Sequence, residues 1–101
     1  MTKVYLRCRD FHASGETVTL DCELNERSCI NFDDGPHGVA TDRGEDYEFD
    51  LYDNGNIDFG KEYTEDRVWR TNLHELKIQL GELAKITNGG GPWIYEVIRV
   101  Q

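Results

Sequence analysis

Period-two alternation of apolar and polar residues runs through most of this chain, and it predicts strands more often than helix. Val4, Leu6 and Cys8 share one side of a first strand over 3–11, with Tyr5, Arg7 and Arg9 on the other. After a loop around Gly15, a second strand over 17–24 turns Val18, Leu20, Cys22 and Leu24 one way and Thr17, Thr19, Asp21 and Glu23 the other. A turn at Asn25-Glu26-Arg27-Ser28 leads to a third strand, 29–33, with Ile30 and Phe32 inward. These three form a meander. Asp33 to Gly44 then carries Gly35, Pro36, Gly38 and Gly44 with only Val39 and Ala40 apolar, and it reads as a long loop.

The next stretch, Glu45 to Asp66, predicts a hairpin of strands 46–52 and 56–63 with two opposite faces. Tyr47, Phe49 and Leu51 alternate with Asp46, Glu48 and Asp50. A two-residue turn at Asn54-Gly55 would set Leu51 opposite Asp58 and Phe49 opposite Gly60. A three-residue turn, Asp53-Asn54-Gly55 with Gly55 left-handed, instead sets Leu51 against Ile57 and Phe49 against Phe59. Asp50 then faces Asp58 and Asp46 faces Glu62, all toward solvent with Glu48. The second register is expected, because burying an unpaired carboxylate costs roughly several kcal/mol.

A basic-aromatic connector, Arg67-Val68-Trp69-Arg70, precedes the segment that carries helical spacing. Asn72 reads as an N-cap with Glu75 three residues on, and Leu73, Leu76, Leu80, Leu83 and Ala84 make an apolar stripe. Ile78 falls opposite that stripe, and Thr87-Asn88-Gly89 ends the helix. The final strand, 93–100, is apolar on both faces and is expected mid-sheet, reached by a right-handed crossover. Residues 1–101 therefore predict a single α+β domain. Its mostly antiparallel sheet has five to six strands, meander plus hairpin, with one α-helix packed on one face, in the order β-β-β-β-β-α-β.

Charge changes the picture. The chain of 101 residues has a formal net charge of −9, with a pI near 4.6. Nine acids lie within 45–66 (Glu45, Asp46, Glu48, Asp50, Asp53, Asp58, Glu62, Glu65, Asp66) against Lys61 alone, a local sum of −8. The charge is concentrated on the hairpin, and the rest of the chain is close to neutral. Such a surface disfavours direct contact with nucleic acid or an anionic membrane and favours a basic protein. No apolar run has the length of a signal peptide or a membrane span, and three cysteines form no disulfide framework, so a cytoplasmic setting is expected.

Candidate chemistry is sparse. Placing Gly55 at the sharp turn of a calcium loop puts Tyr52 and Lys61 where oxygen ligands are needed. Cys8, His12, Cys22, Cys29 and His37 show no paired metal-ligand spacing, so no metal or cofactor is expected. A Cys29, His37 and Asp33 or Asp34 set would need the fold to assemble it. No catalytic residue is assigned, and the protein is not expected to be an enzyme. The residues expected to bind a partner are Asp46, Glu48, Asp50, Tyr52, Asp53, Asn54, Asp58 and Glu62.

The chain carries no family motif. In size, acidity and lack of catalytic groups it resembles the small acidic inhibitors of phages and mobile elements, such as anti-CRISPR, anti-restriction and toxin-immunity proteins. That resemblance implies a binding protein that blocks a basic partner handling nucleic acid, such as a nuclease. Two other readings stand beside it. One is a small-molecule or metal-binding domain, or a small enzyme, with 33–44 as a lid. The other is a subunit of a larger assembly, with Ile78 and the last strand near a contact.

Overall fold

The computed structural model describes residues 1–10, 15–60, 69–87 and 91–101. Within them lie nine strands: β1 (Thr2–Cys8), β2 (Thr17–Leu24), β3 (Ile30–Asn31), β4 (His37–Asp42), β5 (Glu45–Leu51), β6 (Asn56–Asp58), β7 (Trp69–Thr71), β8 (Leu83–Thr87) and β9 (Trp93–Val100). All pairings are antiparallel. They run β1-β9-β8-β7-β6-β5-β4-β2, and β1 pairs back onto β2 from Thr2–Cys22 to Arg7–Thr17. Eight strands thus close into a barrel. The two-residue β3 is a spur on the end of β2, with Leu24 opposite Ile30.

Closure explains the alternation. Each strand has one inward and one outward side, and an eight-stranded barrel has an interior just wide enough for side chains to fill. Val4, Leu6, Leu20, Ile86 and Val97 are fully buried there, and Tyr95 is 1 % exposed. Each such aliphatic side chain contributes about 1.5–3 kcal/mol by leaving water. Phe59 ties the wall together, with ring centroids 5.7 Å from Phe49 and 4.9 Å from Trp69, both edge-on.

The α+β expectation is overturned, because the described residues contain no α-helix. Residues 72–82 instead cross one mouth of the barrel. Leu73–Glu75 is a single 3-10 turn, and Leu76 is already extended at φ −101°, ψ 151°. Ile78 donates its N–H to Ser28 O at 2.8 Å, and Lys77 bridges Cys29. Leu73 and Ile78 are buried as a plug, whereas Leu80 and Leu83 are exposed. Gly81, at φ +84°, makes a turn no right-handed helix contains. The segment 83–87 alternates as a strand, with Ala84 and Ile86 inward.

Three further expectations change. Residues 33–44 are not one loop, because 37–42 form β4, which pairs with both β2 and β5. The third strand of the meander shrinks to β3, and β4 takes its place beside β2. The last strand is not a covered parallel strand, since β9 lies antiparallel between β8 and β1. Its apolar outer residue Ile98 has a specific cause. Leu6 pairs with Val97 and Tyr5 with Arg99, so Ile98 is the extra residue of a bulge and is 43 % exposed.

Candidate functional site: an acidic outer wall

The hairpin of β5 and β6 has the three-residue turn. Leu51 lies opposite Ile57 and Asp50 opposite Asp58. Tyr52 and Asn56 close the turn by Tyr52 N–H to Asn56 O at 3.0 Å, with Gly55 at φ +89°. A side chain at Gly55 would run into Thr71 O and the His74 ring, so the turn needs glycine for space as well as for backbone conformation.

That register sorts the side chains. Phe49, Leu51 and Ile57 are buried, while Asp46, Glu48, Asp50 and Asp58 are exposed on the outer wall. Tyr52, Asp53 and Asn54 are exposed at the tip. Glu62 lies outside the described residues, as do Lys61, Glu65, Asp66 and Arg67. Seven of the eight residues expected to bind a partner can therefore be located: four carboxylates on the outer wall, Tyr52 with its hydroxyl on Asp58, and Asp53 and Asn54 at the tip.

The strand next door extends the wall. The cross-strand row reads Lys3, Asp21, His37, Asp50, Asp58 from β1 to β6. The strands β4, β5 and β6 together hold Asp42, Glu45, Asp46, Glu48, Asp50 and Asp58 and neither lysine nor arginine. Like charges opposite one another on a sheet repel. Among the described residues, neutral donors rather than fixed cations hold three of these six carboxylates. Thr41 Oγ1 donates to Asp46 at 2.6 Å, and Tyr47 OH donates to Glu45 at 2.6 Å. Asp58 accepts from Tyr52 OH at 3.2 Å and from the Gly60 N–H at 2.8 Å.

The exception titrates. His37 Nδ1 lies 3.1 Å from Asp50 Oδ1, and Nε2 lies 3.8 Å from Glu48. The hydrogen bond to Asp50 raises the His37 pKa above its usual value, against a smaller opposing effect of burial. Asp50 also pushes the Tyr52 phenol upward together with Asp58, whose hydrogen bond is the larger cause. Arg70 stands beside Asn56 on β7, at the margin of the wall.

The other candidates disperse. Cys8 and Cys22 fill the interior, where burial raises both thiols, Cys22 to about 11. The Cys29 thiol donates to Arg27 O at 3.8 Å, while His37 is held by Asp50 and Glu48, so the Cys-His-Asp contacts are not made. Among the described residues no group of three or more His, Cys, Asp or Glu side chains could hold a metal. The supposed calcium loop is flanked by strands. His12 lies outside the described residues.

Sequence reasoning missed β4, and so placed His37 in a loop as a candidate partner of Cys29 instead of beside Asp50, and did not single out Thr41. Its inward positions are Gly38 and Ala40, too small to register as apolar. The usable signals were β-branched Val39 and Thr41 followed by Arg43-Gly44, both at positive φ, a two-residue hairpin turn. At the plugged end a tight turn, Phe32 O to Gly35 N–H at 3.2 Å, stands next to the hairpin tip. Between them is a cleft of about 480 Å³.

Comparison with known proteins finds no match, whether to a protein-family model, to a curated protein or to a solved structure. The geometry of the wall is what remains to argue from. Among the described residues no helix is long and apolar enough to cross a membrane.

Proposed function

We propose that this protein is an acidic binding protein that docks on a basic partner through the outer wall of β4, β5 and β6. The observation that carries this is the outward ladder of Asp46, Glu48, Asp50 and Asp58, held among the described residues by Thr41, His37, Tyr52 and Gly60 rather than by lysine or arginine. Carboxylates at alternate positions of β5 stand about 6.5–7 Å apart. That is close to the spacing of successive phosphates along a nucleic-acid strand. A groove lined with Lys and Arg for a phosphate backbone would accept this row, and the partner class is therefore a nuclease or other nucleic-acid-handling protein. Association would be steered and salt-sensitive. The free thiols of Cys8, Cys22 and Cys29 favour a reducing compartment such as the cytoplasm.

The test compares the wild-type protein with a variant carrying Asp46→Lys, Glu48→Lys, Asp50→Lys and Asp58→Lys. Each is titrated against a panel of basic nucleases and nucleic-acid-binding effectors at low and raised salt, with inhibition and affinity as readouts. A tight complex that weakens with salt and is lost in the variant is expected. A partner bound equally well by both proteins would remove this wall from the interface.

A further inference from the structure

The cleft between the Phe32–Gly35 turn and the hairpin tip differs in kind from the ladder beside it. Its walls include Phe32, Pro36 and Tyr52, and its rim carries Asp33, Asp50 and Asp53. Among the described residues no lysine or arginine lines it. Two hydrogen bonds hold the sides in place. Leu51 donates its N–H to Pro36 O at 3.0 Å, which joins the turn to β5 at the base. The Tyr52 hydroxyl is held by Asp58 at 3.2 Å, so the ring is pinned at its far end while half of the residue's surface stays open.

We infer that this cleft receives one arginine side chain of the basic partner, with the guanidinium against the Tyr52 ring and its fork toward the carboxylates of the rim. The inference rests on the proposed function and names the anchor of that interface. Three features select arginine over lysine. A guanidinium is flat and weakly hydrated, so it stacks on an aromatic face where an ammonium stays wrapped in water. Its paired N–H groups match a carboxylate two at a time. The apolar walls take the three-carbon stem that precedes it. A volume of about 480 Å³ leaves room for one such chain and accompanying water. The ladder is different, because its carboxylates lie on an open wall and accept lysine or arginine alike.

The probes are N-acetyl-arginine amide and N-acetyl-lysine amide, each titrated into the isotopically labelled full chain and followed by amide NMR shifts. Saturable shifts confined to residues 32–36 and 50–53 are expected with the arginine probe. The lysine probe should bind about two- to fivefold more weakly, the ratio a cation stacked on an exposed ring provides. Tyr52→Ala and Asp53→Asn should each weaken the arginine response while leaving the rest of the spectrum in place, which reports an intact barrel. Shifts spread evenly over all acidic residues, or equal responses to the two probes, would overturn the inference. If that happened while the charge-reversed ladder still abolished partner binding, the docking face would stand without this anchor. If the probe bound as expected and a variant carrying only Asp46→Lys and Glu48→Lys, which leaves the cleft rim and the Tyr52 contact intact, kept its partner, the cleft would stand and the wider interface would fall.

Discussion

Asp58→Asn should make the barrel more stable and its docking weaker. Asp50 and Asp58 are direct partners across β5 and β6. Cα atoms of such pairs lie about 4.5–5.5 Å apart, so the carboxylates are separated by roughly 5–6 Å. Two unit charges at that distance in water repel by about 0.7 kcal/mol, and screening at physiological ionic strength reduces this to about 0.4 kcal/mol. Asparagine keeps one carbonyl oxygen for the Gly60 N–H, which Asp58 now accepts at 2.8 Å, and its NH2 group can donate to the Tyr52 hydroxyl that now donates to Asp58 at 3.2 Å, so both contacts survive the change. Thermal unfolding followed by circular dichroism should show a midpoint raised by about 3–5 °C at low salt and about 2–3 °C at physiological salt, for a domain of this size. The gain should shrink further at ~1 M salt, where the screening length is about 3 Å. A variant less stable than the wild type, or a gain indifferent to salt, would refute the claim that repulsion is retained on this wall.

Gly38→Ala should cost about 1–3 kcal/mol of unfolding free energy by overpacking, because an added Cβ would collide with the Phe49 ring and Thr19 O. Combining it with Phe49→Leu should cost less than the two changes added separately, and strict additivity in urea titrations would contradict the contact. Below about pH 6.5 protonated His37 contributes fully to stability, because its folded pKa is raised; that contribution fades as pH rises through the raised value. The effect is small, since the His37 side chain is 47 % exposed, and His37→Gln should flatten the stability profile across that window. A profile unchanged by the substitution would show that the pair with Asp50 does not form. Iodoacetamide should label Cys29 well before Cys22, whose thiol burial pushes up to about 11, as read by mass spectrometry. Comparable rates at the two sites would mean that the barrel opens locally around β2.

The strands with large inward residues were legible from the sequence. Val4, Leu6 and Cys8, then Val18, Leu20 and Cys22, alternate strongly, and all six are buried. The turn at Gly55 was legible too, because only one register keeps Asp50 and Asp58 on the side away from Ile57. The strand β4 was hidden by its own packing. Phe49 fills the space that Gly38 leaves, so the apolar signal of that layer sits on the neighbouring strand. Helix was predicted over 72–87 for a related reason. Leu73, Leu76, Leu80 and Leu83 have helical spacing, yet Leu73 plugs the barrel, Leu80 and Leu83 are exposed, and Gly81 reverses the chain. The shorter alternation of Ala84 and Ile86 was the true signal. Closure itself had no local signature, since it depends on β1 pairing with β9 at the other end of the chain, from Val4 with Val100 to Cys8 with Tyr95.

Among the described strands, apart from the two-residue spur, every ribbon of the barrel has a neighbour on each flank. Along those paired ladders the backbone groups are already taken, so an incoming peptide finds no edge there to lengthen. Recognition over those ladders falls to side chains and turns. Its specificity can then drift by substitution on the outside while the scaffold underneath stays the same.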